Sequence, residues 1–184
     1  MSQKSRVFQS VKAMTFAAML AAMSVVIGIF CKNFLDFGGG LFRITFENFP
    51  IILAGVLFGP IVGGIVGIVS DLVSYLLSSQ IHPPNLIVTA GAAAVGIVSG
   101  VMARFVVKKR GSLQFIVSGA AAHIVGSMTI KPIGIFVFYG WAVLWRIPLY
   151  LLIAPIEIAL LCVLYRRKSF RRLIDDFSDS KEKV

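Results

Sequence analysis

Residues 43–77, RITFENFPIILAGVLFGPIVGGIVGIVSDLVSYLL, decide how the rest of the chain is read. Gly59-Pro60 divides this stretch into two apolar runs. Proline lacks a backbone N–H and glycine weakens a helix, so the chain turns at this pair instead of running on as one helix. The second run carries small or short side chains in helical register at Gly63, Gly67, Ser70, Asp71 and Ser74. Small side chains let helix backbones approach closely, which is how helices associate inside a bilayer. Ahead of the first run stand Arg43 and Thr45, a cation and a hydroxyl able to cap a helix. The stretch therefore reads as two short hydrophobic helices of a compact membrane bundle, with a polar entrance at Arg43.

Composition outside this stretch agrees. Of 184 residues, 58% are hydrophobic and 14% charged, and the mean hydropathy is +0.90. A soluble domain of this size does not carry so much apolar sequence, so the chain is an integral membrane protein. At ~20 residues per span, about six spans leave no room for a separate soluble domain. The expected division is one six-helix transmembrane domain over 1–168 and a polar, disordered cytoplasmic tail over 169–184.

The net charge of +10 would point to nucleic acid in a soluble protein. Here it sorts by segment instead. The N-terminus, residues 104–110 and the C-terminal tail hold 14 of the 18 basic residues, leaving Lys32, Arg43, Lys131 and Arg146. The positive-inside rule places the first group, and so both termini, in the cytoplasm. An even number of crossings follows, which gives six. Residues 31–43 read as a loop containing Gly38-Gly39-Gly40, and Pro83-Pro84 suit the first turn of the fourth helix. Ile133–Trp145 is too short to span alone and either extends the fifth helix or folds over the outer face. Cys31 and Cys162 fall at opposite membrane faces, about 30 Å apart, too far for a disulfide; free thiols are expected.

Soluble-enzyme signatures are missing. There is no GxxxxGK[ST] loop, so ATP hydrolysis by this chain through that route is excluded. His82 and His123 lie far apart and make no metal spacing, and no cofactor is expected. The outer-side cations are the chemical signal. Arg43 and Arg146 each precede the start of a helix, where the dipole already presents positive charge. Either Glu47 compensates, or a bound anion does, since helix starts with arginine form carboxylate sites. Trp141 and Trp145, beside Arg146, belong to an interfacial aromatic belt or wall a flat ligand. Asp71 and Glu157 need partners inside the membrane: an outer cation for Asp71, an interior hydrogen bond for Glu157. The candidate ligand set is Arg43, Lys131, Trp141, Trp145, Arg146, Tyr75 and Asp71.

Taken in order, the alanine-rich AAMLAAMSVVIG at 17–28, the 43–77 stretch, the basic loop, Arg146 and Pro155 resemble the substrate-binding S components of energy-coupling factor (ECF) vitamin transporters, and their folate-specific branch. The resemblance implies six helices, a vitamin site near the outer face, and a T coupling subunit with two ATPase subunits that hydrolyse the ATP. It also implies that the alanines of the first helix dock on the coupling subunit, through Ala13, Ala17 and Ala21 or through Ala18 and Ala22. A flat pterin suits the tryptophans and a dianionic tail suits Arg43, Lys131 and Arg146. The alternatives are an S component for riboflavin, thiamine or pantothenate, a non-transporting membrane scaffold, and a small intramembrane enzyme using Asp71, Glu157 or His123.

Overall fold

The computed structural model describes residues 11–37, 42–78, 83–107, 111–168 and 170–172. Expectations for the first ten residues, Gly38–Gly40, His82, Lys108–Arg110 and the tail beyond Arg172 lie outside them. Helix α1 (Val11–Phe34) is 24 residues long, about 36 Å at 1.5 Å per residue. The chain then forms a small antiparallel ribbon, β1 (Asp36–Phe37) with β2 (Phe42–Arg43), in which Asp36 faces Arg43. The expected loop at 31–43 is thus replaced by the end of α1 and this ribbon.

Gly59-Pro60 turns the chain as read: α2 (Asn48–Phe58) and α3 (Pro60–Leu76) meet at Gly59, whose φ of 96° is open to glycine at little cost. Pro60 opens α3, where its missing N–H costs nothing. At 11 residues α2 is about 16 Å long, well short of a ~30 Å hydrocarbon core. Eight of its residues are buried, including Ile51, Ile52, Leu53 and Ala54. An apolar helix with so few exposed residues belongs at the centre of a bundle, and α2 sits there, packed by α1, α3 and α4 (Leu86–Val106). Asn85 caps α4, its side chain accepting from Ile87 N at 2.9 Å; Pro83 and Pro84 therefore precede the cap and do not form the first turn.

The segment α5 (Ser112–Ala122) continues through a widened, π-wound stretch (His123–Ile130) into α6 (Lys131–Tyr139). Pro132, which would break a regular α ladder, follows the widened turns, where the ladder has already shifted. Residues 133–139 thus extend the fifth helix. Gly140 (φ 54°) and a tight turn to Trp145 then reverse the chain into α7 (Arg146–Arg166). Cys162 Sγ lies 3.8 Å from Ser112 O, so α7 runs back along α5. Both cysteines are free.

Val11–Phe34, Leu86–Val106 and Ser112–Arg166 are long and apolar enough to cross a membrane, the last as a doubled-back pair. Large apolar side chains cover the exterior, among them Val26, Phe30, Val137, Leu151 and Val163, the surface a bilayer solvates.

Candidate functional site

The ends of α1, α3 and α6, the ribbon, and the starts of α4 and α7 enclose a polar cavity of about 270 Å³. Its charged lining comprises Lys32, Arg43, Lys131 and Arg146 with Asp36, Glu47 and Asp71. Burying so many charges is tolerable only where they pair or face a ligand, so their partners decide what the site can bind.

Two of the cations are spoken for. Arg43 donates through Nε and Nη2 to Asp36 Oδ2 at 3.1 and 2.7 Å, across the ribbon that sets the two residues face to face. Lys131, 4% exposed, donates to Glu47 Oε1 at 3.2 Å and to Asn48 Oδ1 at 3.0 Å. Asn48 in turn reaches Ser127 Oγ at 3.4 Å, and Ser24 Oγ donates to Glu47 O at 2.8 Å. This network ties α1, α2 and the π-wound stretch together beneath the cavity. Glu47 therefore compensates Lys131, not Arg43. Arg43 itself stands in β2, five residues ahead of α2, with Asp36 as its counter-charge.

The other two cations meet no carboxylate among the described residues. Lys32 Nζ donates to Ser74 Oγ at 2.6 Å. Arg146, 3% exposed, has its Cζ 5.8 Å from the centre of the Tyr150 ring, and its Nε has no hydrogen-bond partner among the described residues. An arginine cannot shed its charge to suit such a place. Asp71 accepts from Thr89 Oγ1 at 2.7 Å and makes no ion pair among the described residues, although Lys131 and Lys32 lie near enough to attract its carboxylate.

The structure thus brings Arg43, Lys131, Arg146, Tyr75 and Asp71 to one cavity. It places Trp141 and Trp145 outside, 77% and 68% exposed, because the turn after Gly140 directs them away; Trp141 packs edge-on against Phe136. The aromatic walls come instead from Tyr75, Phe138, Tyr139 and Tyr150. Tyr150 was legible in principle, standing one helical turn beyond Arg146 on the same face. Thr89 carried no such signal, since in sequence it is one more small residue of α4.

His123 Nε2 and Glu157 Oε2 stand 2.8 Å apart in the interior, 1% and 0% exposed, and line no part of this cavity. Among the described residues no group of three or more metal-ligating side chains converges. Along α1, Ala13 and Ala17 are buried and Ala21 is half-buried, while Ala18 and Ala22 are exposed.

The family profile described as "ECF transporter, substrate-specific component" matches residues 12–171. Among solved structures, a crystal structure of FolT bound with folic acid shares the fold with a TM-score of 0.63 at 22% identity, covering 83% of this chain and 92% of that one. No curated protein matches in sequence.

Proposed function

The chain belongs to the substrate-specific components of ECF transporters, substrate-binding subunits and not enzymes, and on that premise we propose that its cavity captures folate. The observation that carries the choice is Arg146: a buried guanidinium, lining the cavity, with no anionic partner among the described residues. A ligand carboxylate supplies that partner, in the two-pronged geometry arginine offers. Folate has two carboxylates and a flat ring, which the tyrosines and Phe138 suit. The shared fold with a folic-acid-bound FolT supports the same reading. At about 270 Å³ the cavity is near the lower end for small-molecule sites, so part of a long ligand remains at its mouth.

In this reading both termini are cytoplasmic and the six helical rods form the transmembrane bundle, the short α2 held inside it by its neighbours, so the cavity opens outward, toward the vitamin. The exposed Arg166, which ends α7, and Arg167, Lys168, Arg171 and Arg172 beyond it fit that orientation. A T coupling subunit and two ATPase subunits complete the importer and supply the ATP chemistry, and residues 169–184 form a polar cytoplasmic tail.

Calorimetric titration of the detergent-purified protein tests the assignment. Folate binds the wild type, and Arg146→Ala costs about 1.5–3 kcal/mol, the usual worth of a hydrogen bond to a charged group. The neutral amide of pteroic acid, which has no carboxylate, binds more weakly and is nearly indifferent to Arg146→Ala. Trp141→Ala, outside the cavity, leaves folate affinity unchanged. Equal losses for folate and this amide would move Arg146 away from the carboxylates; no folate binding at all sinks the assignment.

A further inference from the structure

Of the three carboxylates that line the cavity, two are bound to cations: Asp36 to Arg43 at 2.7 Å and Glu47 to Lys131 at 3.2 Å. Asp71 is the exception. Its Oδ2 accepts from the neutral Thr89 hydroxyl at 2.7 Å, and no ion pair or second hydrogen bond to its carboxylate exists among the described residues. It is half-buried, in the apolar helix α3, and lines the cavity. A carboxylate offers two parallel acceptor oxygens, so beyond the Thr89 bond Asp71 keeps acceptor capacity for donors of a ligand in the cavity.

Position matters as much as chemistry. Arg146 is the first residue of α7 and, although 3% exposed, lines the cavity together with Tyr139, the last residue of α6. Asp71 lies five residues before the end of α3 and lines the same cavity from that helix. The cavity is therefore lined, from two different helices, by a cation and a carboxylate that make no ion pair among the described residues.

Resting on the vitamin-binding reading above, we propose that Asp71, oriented by Thr89, accepts two adjacent N–H donors from the ligand's heterocycle, the edge formed by an exocyclic amino group and the neighbouring ring N–H. The ligand thus sets its ring at Asp71 and its carboxylates at Arg146. Glu47 cannot take this role while Lys131 holds it. The same geometry selects against flat vitamins whose buried edge carries only acceptors, because these would face the carboxylate with no hydrogen to share.

A chemical double-mutant cycle tests this, with folic acid and its 2-desamino-2-methyl analogue titrated into the detergent-purified full chain. The wild type binds the analogue roughly 10- to 100-fold more weakly, the range for a hydrogen bond to a charged group. Asp71→Asn loses a similar factor for folic acid and then discriminates the two ligands by less than about threefold, the lost group no longer mattering. Thr89→Val, which leaves the carboxylate in place but frees its rotamer, weakens folic acid and narrows the discrimination part-way; it carries the test if Asp71→Asn does not fold. Discrimination unchanged from wild type in the folded variants overturns the role of Asp71 while leaving folate binding standing. A wild type that binds neither ligand overturns both this inference and the reading it rests on.

Discussion

Arg43, Lys131 and Arg146 look alike in sequence, three cations on the sparsely charged side. Their partners set them apart. Arg43 pairs with an acid seven positions away and Lys131 with one 84 positions away, so neither pairing follows from a helical spacing. Only the fold decides that Arg146 is left with no anion among the described residues. Lys131 accordingly has two jobs to be separated. Removing one member of a buried ion pair strands the other, at about 3–5 kcal/mol, whereas removing both is far less harmful. Lys131→Met should therefore lower the thermal melting point of the detergent-solubilised protein by many degrees, and Lys131→Met with Glu47→Gln should restore most of it. A double variant no more stable than the single one would place Lys131 outside this pair's energetics.

At the scale of elements, the sequence was most legible where punctuation and small residues act locally. Gly59-Pro60 marks the turn between α2 and α3, and the glycine stripe of α3 meets a matching one on α4. A methyl added at Gly96 would run into the backbone of Gly63 and Gly64, and one added at Gly63 into the carbonyl of Gly96. Nothing stands near Gly111, by contrast. Gly96→Ala should thus cost about 1–3 kcal/mol or more by overpacking, seen as a lower melting point or lost expression, while Gly111→Ala melts with the wild type. Equal melting of the two variants would show that the α3–α4 interface relaxes freely. The tryptophans were illegible for a related reason. A belt residue and a pocket residue share the same composition, and the direction of Trp141 and Trp145 hangs on the positive φ of Gly140 and the tight turn after it. The ribbon hid likewise, since two residues per strand leave no alternation to read.

For the whole molecule, the bilayer explains both what could be read and what could not. Hydropathy and the charge split reveal a membrane bundle, but lipid and protein interior are equally apolar, so sequence cannot tell which face of α1 turns inward. The alanines at 13, 17 and 21 and those at 18 and 22 are two candidate faces of one helix, and only packing separates them. Ala13 and Ala17 lie within the core beside Ile51, Phe58 and Val62, while Ser70 Oγ donates to the carbonyl of Ala21 at 3.4 Å. Ala18 and Ala22 remain exposed, flanked on the surface by Met14, Met19 and Val26. If small residues set how closely the coupling subunit's helix approaches, the docking pair is 18 and 22. Ala18→Trp with Ala22→Trp should then leave folate affinity of the purified subunit intact and abolish uptake by cells carrying the whole transporter, with loss of co-purifying coupling subunit. Ala17→Trp should instead lower the melting point and the binding together, because it enters the core. Normal uptake by the Ala18, Ala22 double variant would rule this face out as the docking surface.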